Sequence, residues 1–180
     1  MAAIGSGART LVRRPTATPT WAFGDLLLRR YRPADHPAVL SLHREGLARI
    51  GLRPGDGVYY EHDLHRLEEL YLRDGTGEFL VGTPITGGPP VAMGGLRRHD
   101  DTTAEMVRLR VRPDLQRLGY GAAVLQALEE RARLLGYRRL IGDTTEFQGP
   151  AIELYRKYGW TELRREIING IVNIYGEKFL

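Results

Sequence analysis

The stretch from residue 104 to residue 136 constrains this chain more than any other. Residues 104–112 alternate in a strand pattern, Pro113 stops the alternation, and from about Gly121 to Leu135 apolar side chains recur at helical spacing. Glu105, Val107, Leu109 and Val111 are expected on one face of the strand, with Met106, Arg108 and Arg110 on the other. Val124, Leu125, Leu128, Ala132 and Leu135 form the apolar stripe of the helix, and Gly136 closes it. Gly119 and Gly121 fall at the junction, where they let the backbone turn sharply and approach a ligand. The amide groups of residues 117–122 then point out of the positive end of the helix, an arrangement suited to a phosphate or pyrophosphate. No Gly-Lys-Ser/Thr follows, so this is not a P-loop; the third glycine of a dinucleotide fingerprint would fall on Val124. On these residues alone, a tight turn capping a core helix is the alternative reading.

The flanking sequence builds a mixed α/β domain around this unit. Leu26 to Arg30 reads as a strand, and a helix capped by Asp35 with Pro37 in its first turn runs to about Ile50. A second helix is expected over 61–72, where Leu64, Leu67, Leu70 and Tyr71 share a face. Residues 78–83 and 91–97 are strands joined through Gly87-Gly88, 138–145 is another, and a helix begins at Pro150 and stops at Gly159. Two last strands, 161–168 and 171–179, meet at Asn169-Gly170. The expected architecture is a mixed central sheet of about seven strands flanked by about four helices.

With 180 residues, 42% of them apolar, the chain can bury one full core, and no apolar run approaches the roughly 18 residues of a membrane span. Cysteine is absent, which excludes disulfides, zinc–thiolate sites and a cysteine nucleophile and fits a cytoplasmic location. Serine occurs only at Ser6 and Ser41, leaving no material for a serine-hydrolase triad. His62 and His65 share a helix face but lack the zinc-binding His-Glu-x-x-His pattern, so no metal is expected. The net charge is +4, and three of those charges belong to Arg9, Arg13 and Arg14 in an acid-free stretch. Residues 1–24, rich in Ala, Gly, Thr and Pro, read as a flexible basic tail ahead of a single domain over 25–180. The nearly neutral remainder argues against nucleic acid as a partner.

Gln116-x-x-Gly119-x-Gly121, after a strand ending Val111-x-Pro113, resembles the acetyl-CoA motif of the Gcn5-related N-acetyltransferases (GNAT). Downstream, Ala151-Ile152-Glu153-Leu154-Tyr155-Arg156-Lys157-Tyr158-Gly159-Trp160 resembles the second motif of that family. The order of elements matches over residues 26–180. One departure is Gln148, where the family often has Asn; it keeps the amide but is longer.

The resemblance implies an acetyl-CoA-dependent N-acetyltransferase acting on a small-molecule or peptide amine in a ternary complex. The alternative on the same fold is a non-catalytic acyl-CoA-binding or regulatory module. The pyrophosphate of acetyl-CoA would lie on the amides of Arg117, Leu118, Gly119, Tyr120, Gly121 and Ala122, next to Gln116, with Gln148 nearby. The pantetheine arm would pair with the strand edge at Leu109 and Val111. Tyr155 would be the general acid for the departing thiolate, and Glu105, eleven residues before Gln116, the base. Tyr59-Tyr60 would contact the acceptor, and Trp160 would pack in the core. A homodimer through the C-terminal strands is a further expectation; neither a membrane nor a metal is expected.

Overall fold

In the computed structural model, which describes residues 9–180, the expected strands join two further ones in a single nine-stranded sheet. The strands are β1 (Val12–Arg14), β2 (Thr20–Phe23), β3 (Leu26–Arg30), β4 (Glu78–Pro84), β5 (Ala92–Arg98), β6 (Thr103–Val111), β7 (Arg139–Thr145), β8 (Thr161–Ile168) and β9 (Ile171–Phe179). Their order across the sheet is β1-β2-β3-β4-β5-β6-β7-β9-β8. All neighbours are antiparallel except β6 and β7, which are joined by a helical crossover and run parallel. Helices α1 (His36–Arg49), α2 (Tyr120–Leu134) and α3 (Gly149–Lys157) cover the two faces.

On one face, α2 buries Val124, Leu125 and Leu128 against Trp21, Leu28, Leu96 and Met106, with Leu154 and Tyr155 of α3 at the margin. On the other, Val39 and Leu42 of α1 pack with Leu64, Leu67 and Tyr71 on Phe79, Val81 and Met93. Two buried carboxylates tie α2 to the sheet. Glu78 takes bonds from Arg30 and Arg131, and Glu129 takes them from Lys178 and the Trp160 indole.

Four expectations need correction. Residues 12–23 are not a flexible tail. Trp21 is wholly buried and its Nε1 donates to Glu130 at 2.8 Å, while β2 pairs with β3 through a turn at Gly24-Asp25. The short apolar pair Trp21-x-Phe23 outweighs the surrounding prolines because it completes the core under α2. Residues 1–8 of the expected tail lie outside the described residues. Next, the helix expected over 61–72 is a 3₁₀ turn, Leu64–Arg66, followed by a π-helical turn, Glu68–Leu72. The side chain of Asp35 does not cap α1; it binds Arg29 at 2.8 and 2.9 Å and the Arg32 amide at 2.8 Å.

The correction with most bearing on the site lies in β6. Met93 pairs with Arg110 but Gly95 pairs with Val107, so Arg108 and Leu109 together oppose Gly94. This is a β-bulge, and Arg108 adopts φ +60° to make it. The extra residue reverses the alternation. Val107 belongs to the α1-side core, whereas Leu109 and Val111 pack on the α2 side. Arg110 opposes Met93 and lies against Gly46 of α1. The four residues expected on one face are therefore divided between two.

Candidate active site

Strand β6 pairs with β7 only from Thr103–Arg139 to Met106–Gly142. Beyond that point the strands separate, and residues 107–111 of β6 have no strand on that side. Two carbonyls there take only long side-chain bonds. Leu109 O accepts from Arg110 Nη1 at 3.3 Å, and Val111 O accepts from Gln116 Nε2 at 3.4 Å. An open strand edge inside a sheet offers main-chain groups to a ligand that can run as an added strand. The groups available at Leu109 and Val111 are main-chain ones, because their side chains are turned into the α2 core.

At the end of this edge lies the glycine loop. Gly119 sits at the N-cap of α2 with φ +86°, and Arg117 before it has φ +65°. The first amide of this segment to find a backbone carbonyl is Ala123, bonded to Gly119 O at 3.0 Å. The amides of Arg117 to Ala122 thus remain available at the positive end of a fifteen-residue helix. A Cβ on Gly119 would come within 2.9 Å of the Phe23 ring, so β2 braces the loop from below. Tyr120 contributes only its main chain: its ring is buried edge-on to Phe23 and its hydroxyl donates to Asp25 at 2.8 Å.

The separation of β6 and β7 opens a cleft on the α1 side, bounded by residues 58–63 and α3. Glu105 lines it. Arg97, directly opposite on β5, donates from Nε at 3.1 Å and from Nη2 at 2.5 Å, both to Oε2. Arg108 forks onto Asp63 at 3.0 and 2.6 Å and also reaches the Tyr60 carbonyl at 2.6 Å, pinning the loop to the bulge. Burial pushes the Asp63 carboxyl upward, but the Arg108 guanidinium and the Tyr71 hydroxyl outweigh it and hold the group below its ordinary range.

Tyr155, on α3, borders the same cleft and leans on the Trp160 ring at 5.0 Å. Burial pushes its phenol up to about 12, so it keeps its proton at neutral pH. Trp160 packs beneath Gly142 and Gly176, in the core as expected. Gln148 is already engaged: it accepts from Arg110 Nη1 at 3.1 Å and donates to the Tyr59 hydroxyl. Tyr59 and Tyr60 part company. Tyr59 is buried in the cleft wall and bonds Thr145 Oγ1 at 2.9 Å, while Tyr60 is exposed beside His62.

The sequence reading names none of Asp63, Arg97 and Asp143 and puts Arg110 on the wrong face of its strand. The bulge hides Arg110. The others reach the site through strand register and loop placement, which leave no local pattern. His62 and His65 are exposed, and no group of three or more His, Cys, Asp or Glu side chains able to hold a metal occurs among the described residues. No helix among them is long and apolar enough to cross a membrane.

Residues 42–160 match the model of the acetyltransferase (GNAT) family. The chain is 25% identical over 141 residues to the uncharacterized N-acetyltransferase YjgM of Escherichia coli strain K12, covering 76% of this chain and 83% of that protein. A GNAT-family acetyltransferase from Staphylococcus aureus Mu50 superposes with a TM-score of 0.76 at 16% identity, over 86% of this chain and 99% of that one. A GNAT superfamily phosphinothricin acetyltransferase from Sinorhizobium meliloti, solved in complex with acetyl-CoA, gives a TM-score of 0.69 at 17% identity, over 87% and 89% of the two chains. The open β6 edge, the free amides of the glycine loop and these matches lead to one assignment: the chain belongs to the acetyltransferase (GNAT) family.

Proposed function

We propose that this protein transfers an acetyl group from acetyl-CoA to a primary amine by direct attack within a ternary complex. The observation that carries the reading is the open edge of β6, which ends at six free amides and borders a cleft holding both Glu105 and Tyr155. A neutral pantetheine arm suits the strand edge, and a pyrophosphate suits the amides of residues 117–122. The acetyl-CoA in the Sinorhizobium meliloti relative supports the same co-substrate here.

The co-substrate supplies an activated acyl group as its thioester. Glu105 takes the proton of the attacking amine on Oε1, the oxygen Arg97 leaves free. The nitrogen–carbon bond forms as the carbon–sulfur bond breaks, and Tyr155 gives its proton to the departing sulfur. With no cysteine in the chain, the acyl group has no thiol of the protein to rest on, which favours direct transfer.

Calorimetric titration with acetyl-CoA, followed by an amine panel read through release of free CoA thiol, tests this reading. Binding at micromolar concentration together with amine-dependent thiol release is the expected result. No binding in that range would refute it. The protein itself gives no background with a thiol reagent.

A further inference from the structure

The charges in the cleft balance in number but do not all pair, and the two left over describe an acceptor. Three arginines and three carboxylates face it: Arg97, Arg108 and Arg110, with Asp63, Glu105 and Asp143. Arg97 is paired with Glu105, and Arg108 with Asp63. Arg110 and Asp143 are left over. Arg110 lies beside the Tyr59 ring, 5.6 Å from its centroid, and its hydrogen-bond partners are neutral: the Gln148 amide oxygen, the Leu109 carbonyl and the Tyr59 side chain. Its Nε is shut off from solvent and has no hydrogen-bond partner among the described residues. Asp143 has no cation within ion-pairing distance among the described residues, and burial pushes its carboxyl upward. A buried donor is normally satisfied, and a desolvated guanidinium normally faces an anion.

The leftover cation is not accounted for by the phosphates of CoA. Their amide cradle follows Val111, whose side chain lies on the α2 side of β6, whereas the bulge turns Arg110 to the α1 side, where the cleft opens. Tyr155 lies within electrostatic reach of both leftover groups, Arg110 and Asp143. The point of transfer is thus flanked by an unpaired cation and an unpaired carboxylate.

We propose, building on the N-acetyltransferase reading above, that the acceptor is an amino acid or short amino-carboxylate, with its carboxylate on Arg110 and its amine between Glu105 and Asp143. With Nη1 taken by Gln148 and the Leu109 carbonyl and Nε packed against Gly46, Nη2 is the end of the guanidinium fork left to give a carboxylate a charge-assisted hydrogen bond. Tyr59 and Gln148 hold that fork in place before the acceptor arrives. Glu105 accepts the proton of the amine, while Asp143 fixes the amine by charge and hydrogen bonding.

The test compares matched acceptors. Each of a set of α-amino acids is assayed against its own carboxamide and its aminophosphonate counterpart, in wild type and in Arg110→Gln and Arg110→Lys, with acetyl-CoA affinity measured separately by calorimetry. In wild type the carboxylate should win in kcat/KM by about tenfold or more, mostly through KM, over both analogues. Arg110→Gln should bring the acid-to-amide ratio close to one, Arg110→Lys should keep part of it, and acetyl-CoA affinity should stay within about twofold in both. The lysine variant keeps the test usable if the glutamine variant does not fold. An amide or phosphonate accepted as well as the acid, or a preference that survives Arg110→Gln, overturns the proposal. So does a loss of acetyl-CoA binding in the Arg110 variants, which would give Arg110 to the co-substrate. Wild-type protein that binds acetyl-CoA but acetylates only uncharged amines defeats this inference and spares the function it builds on; protein that does not bind acetyl-CoA defeats both.

Discussion

Arg97 and Glu105 face each other across β5 and β6, and both guanidinium donors converge on the same oxygen, Oε2. The other oxygen, Oε1, has no bond to any of the described residues. Arg97 thereby orients the carboxylate through one oxygen, and in the proposed reaction the other would accept the proton of the amine. Glu105→Gln is expected to lower kcat by about 100-fold or more, the usual worth of a positioned base, while acetyl-CoA affinity is unchanged. Arg97→Ala should cost about tenfold, because it loosens the base without removing it. Steady-state kinetics with calorimetry would check both; a larger loss from Arg97→Ala than from Glu105→Gln would contradict the assignment.

Tyr155→Phe keeps the ring against Trp160 and removes only the proton. It should reduce kcat by about 10- to 100-fold with little change in melting temperature. Because burial holds the phenol up to about 12, wild-type kcat should show no loss from this group below about pH 10. An alkaline limb near pH 8 that vanishes in Tyr155→Phe would show that its proton is held far more weakly.

The two loop glycines should respond differently. Gly119 combines φ +86° with a Cβ position 2.9 Å from Phe23, so Gly119→Ala is expected to destabilise the fold by about 1–3 kcal/mol as well as weaken acetyl-CoA binding. A Cβ on Gly121 meets Leu154 at an ordinary 3.5 Å. Gly121→Ala should therefore unfold within about 0.5 kcal/mol of wild type, and its defect should appear in cofactor affinity alone. Urea unfolding beside calorimetric titration separates the two.

His43, on α1, is fully buried, and neither ring nitrogen has a hydrogen-bond partner among the described residues. Burial, then Arg108 and Arg110, lower its pKa to about 4 from an ordinary 6.5. The folded state keeps this imidazole neutral while the unfolded chain protonates it below pH 6.5. Stability is therefore lost as pH falls from 6.5 toward 4, by up to about 3 kcal/mol from this group. His43→Leu should flatten that loss, so that the variant gains on wild type at pH 5 relative to pH 7.5. Parallel slopes for the two proteins would remove His43 as the cause.

Trp21→Ala tests the first two strands. It removes a wholly buried indole and its bond to Glu130, and should cost about 3–5 kcal/mol by chemical denaturation. A cost below about 1 kcal/mol would mean that the segment adds little to the core.

Legibility in the sequence followed how local each signal was. Strands β8 and β9 appear with the bounds expected of them because Asn169-Gly170 takes φ +50° and +78°, a turn chemistry written in two adjacent residues. The stripe of α2 and the glycine loop were equally local. Strand β2 was obscured by its setting, four residues among threonines and prolines, and only the contact of Trp21 with distant α2 makes it a strand. The cleft was the least readable part. Asp63, Arg97 and Asp143 come from a loop and two strands, and what joins them to Glu105 and Arg108 is register and a bulge rather than spacing.

That bulge has a bearing on kinship. Strand β6 is two regular runs, 105–107 and 109–111, joined out of step by Arg108. Residue count, more than residue type, sets their phase. Removing Arg108 would leave every later side chain on its present face but straighten the strand, whereas replacing it would keep the kink. In a chain of this design the number of residues between the cleft glutamate and the proline that ends the strand, and not their identity, carries the kink.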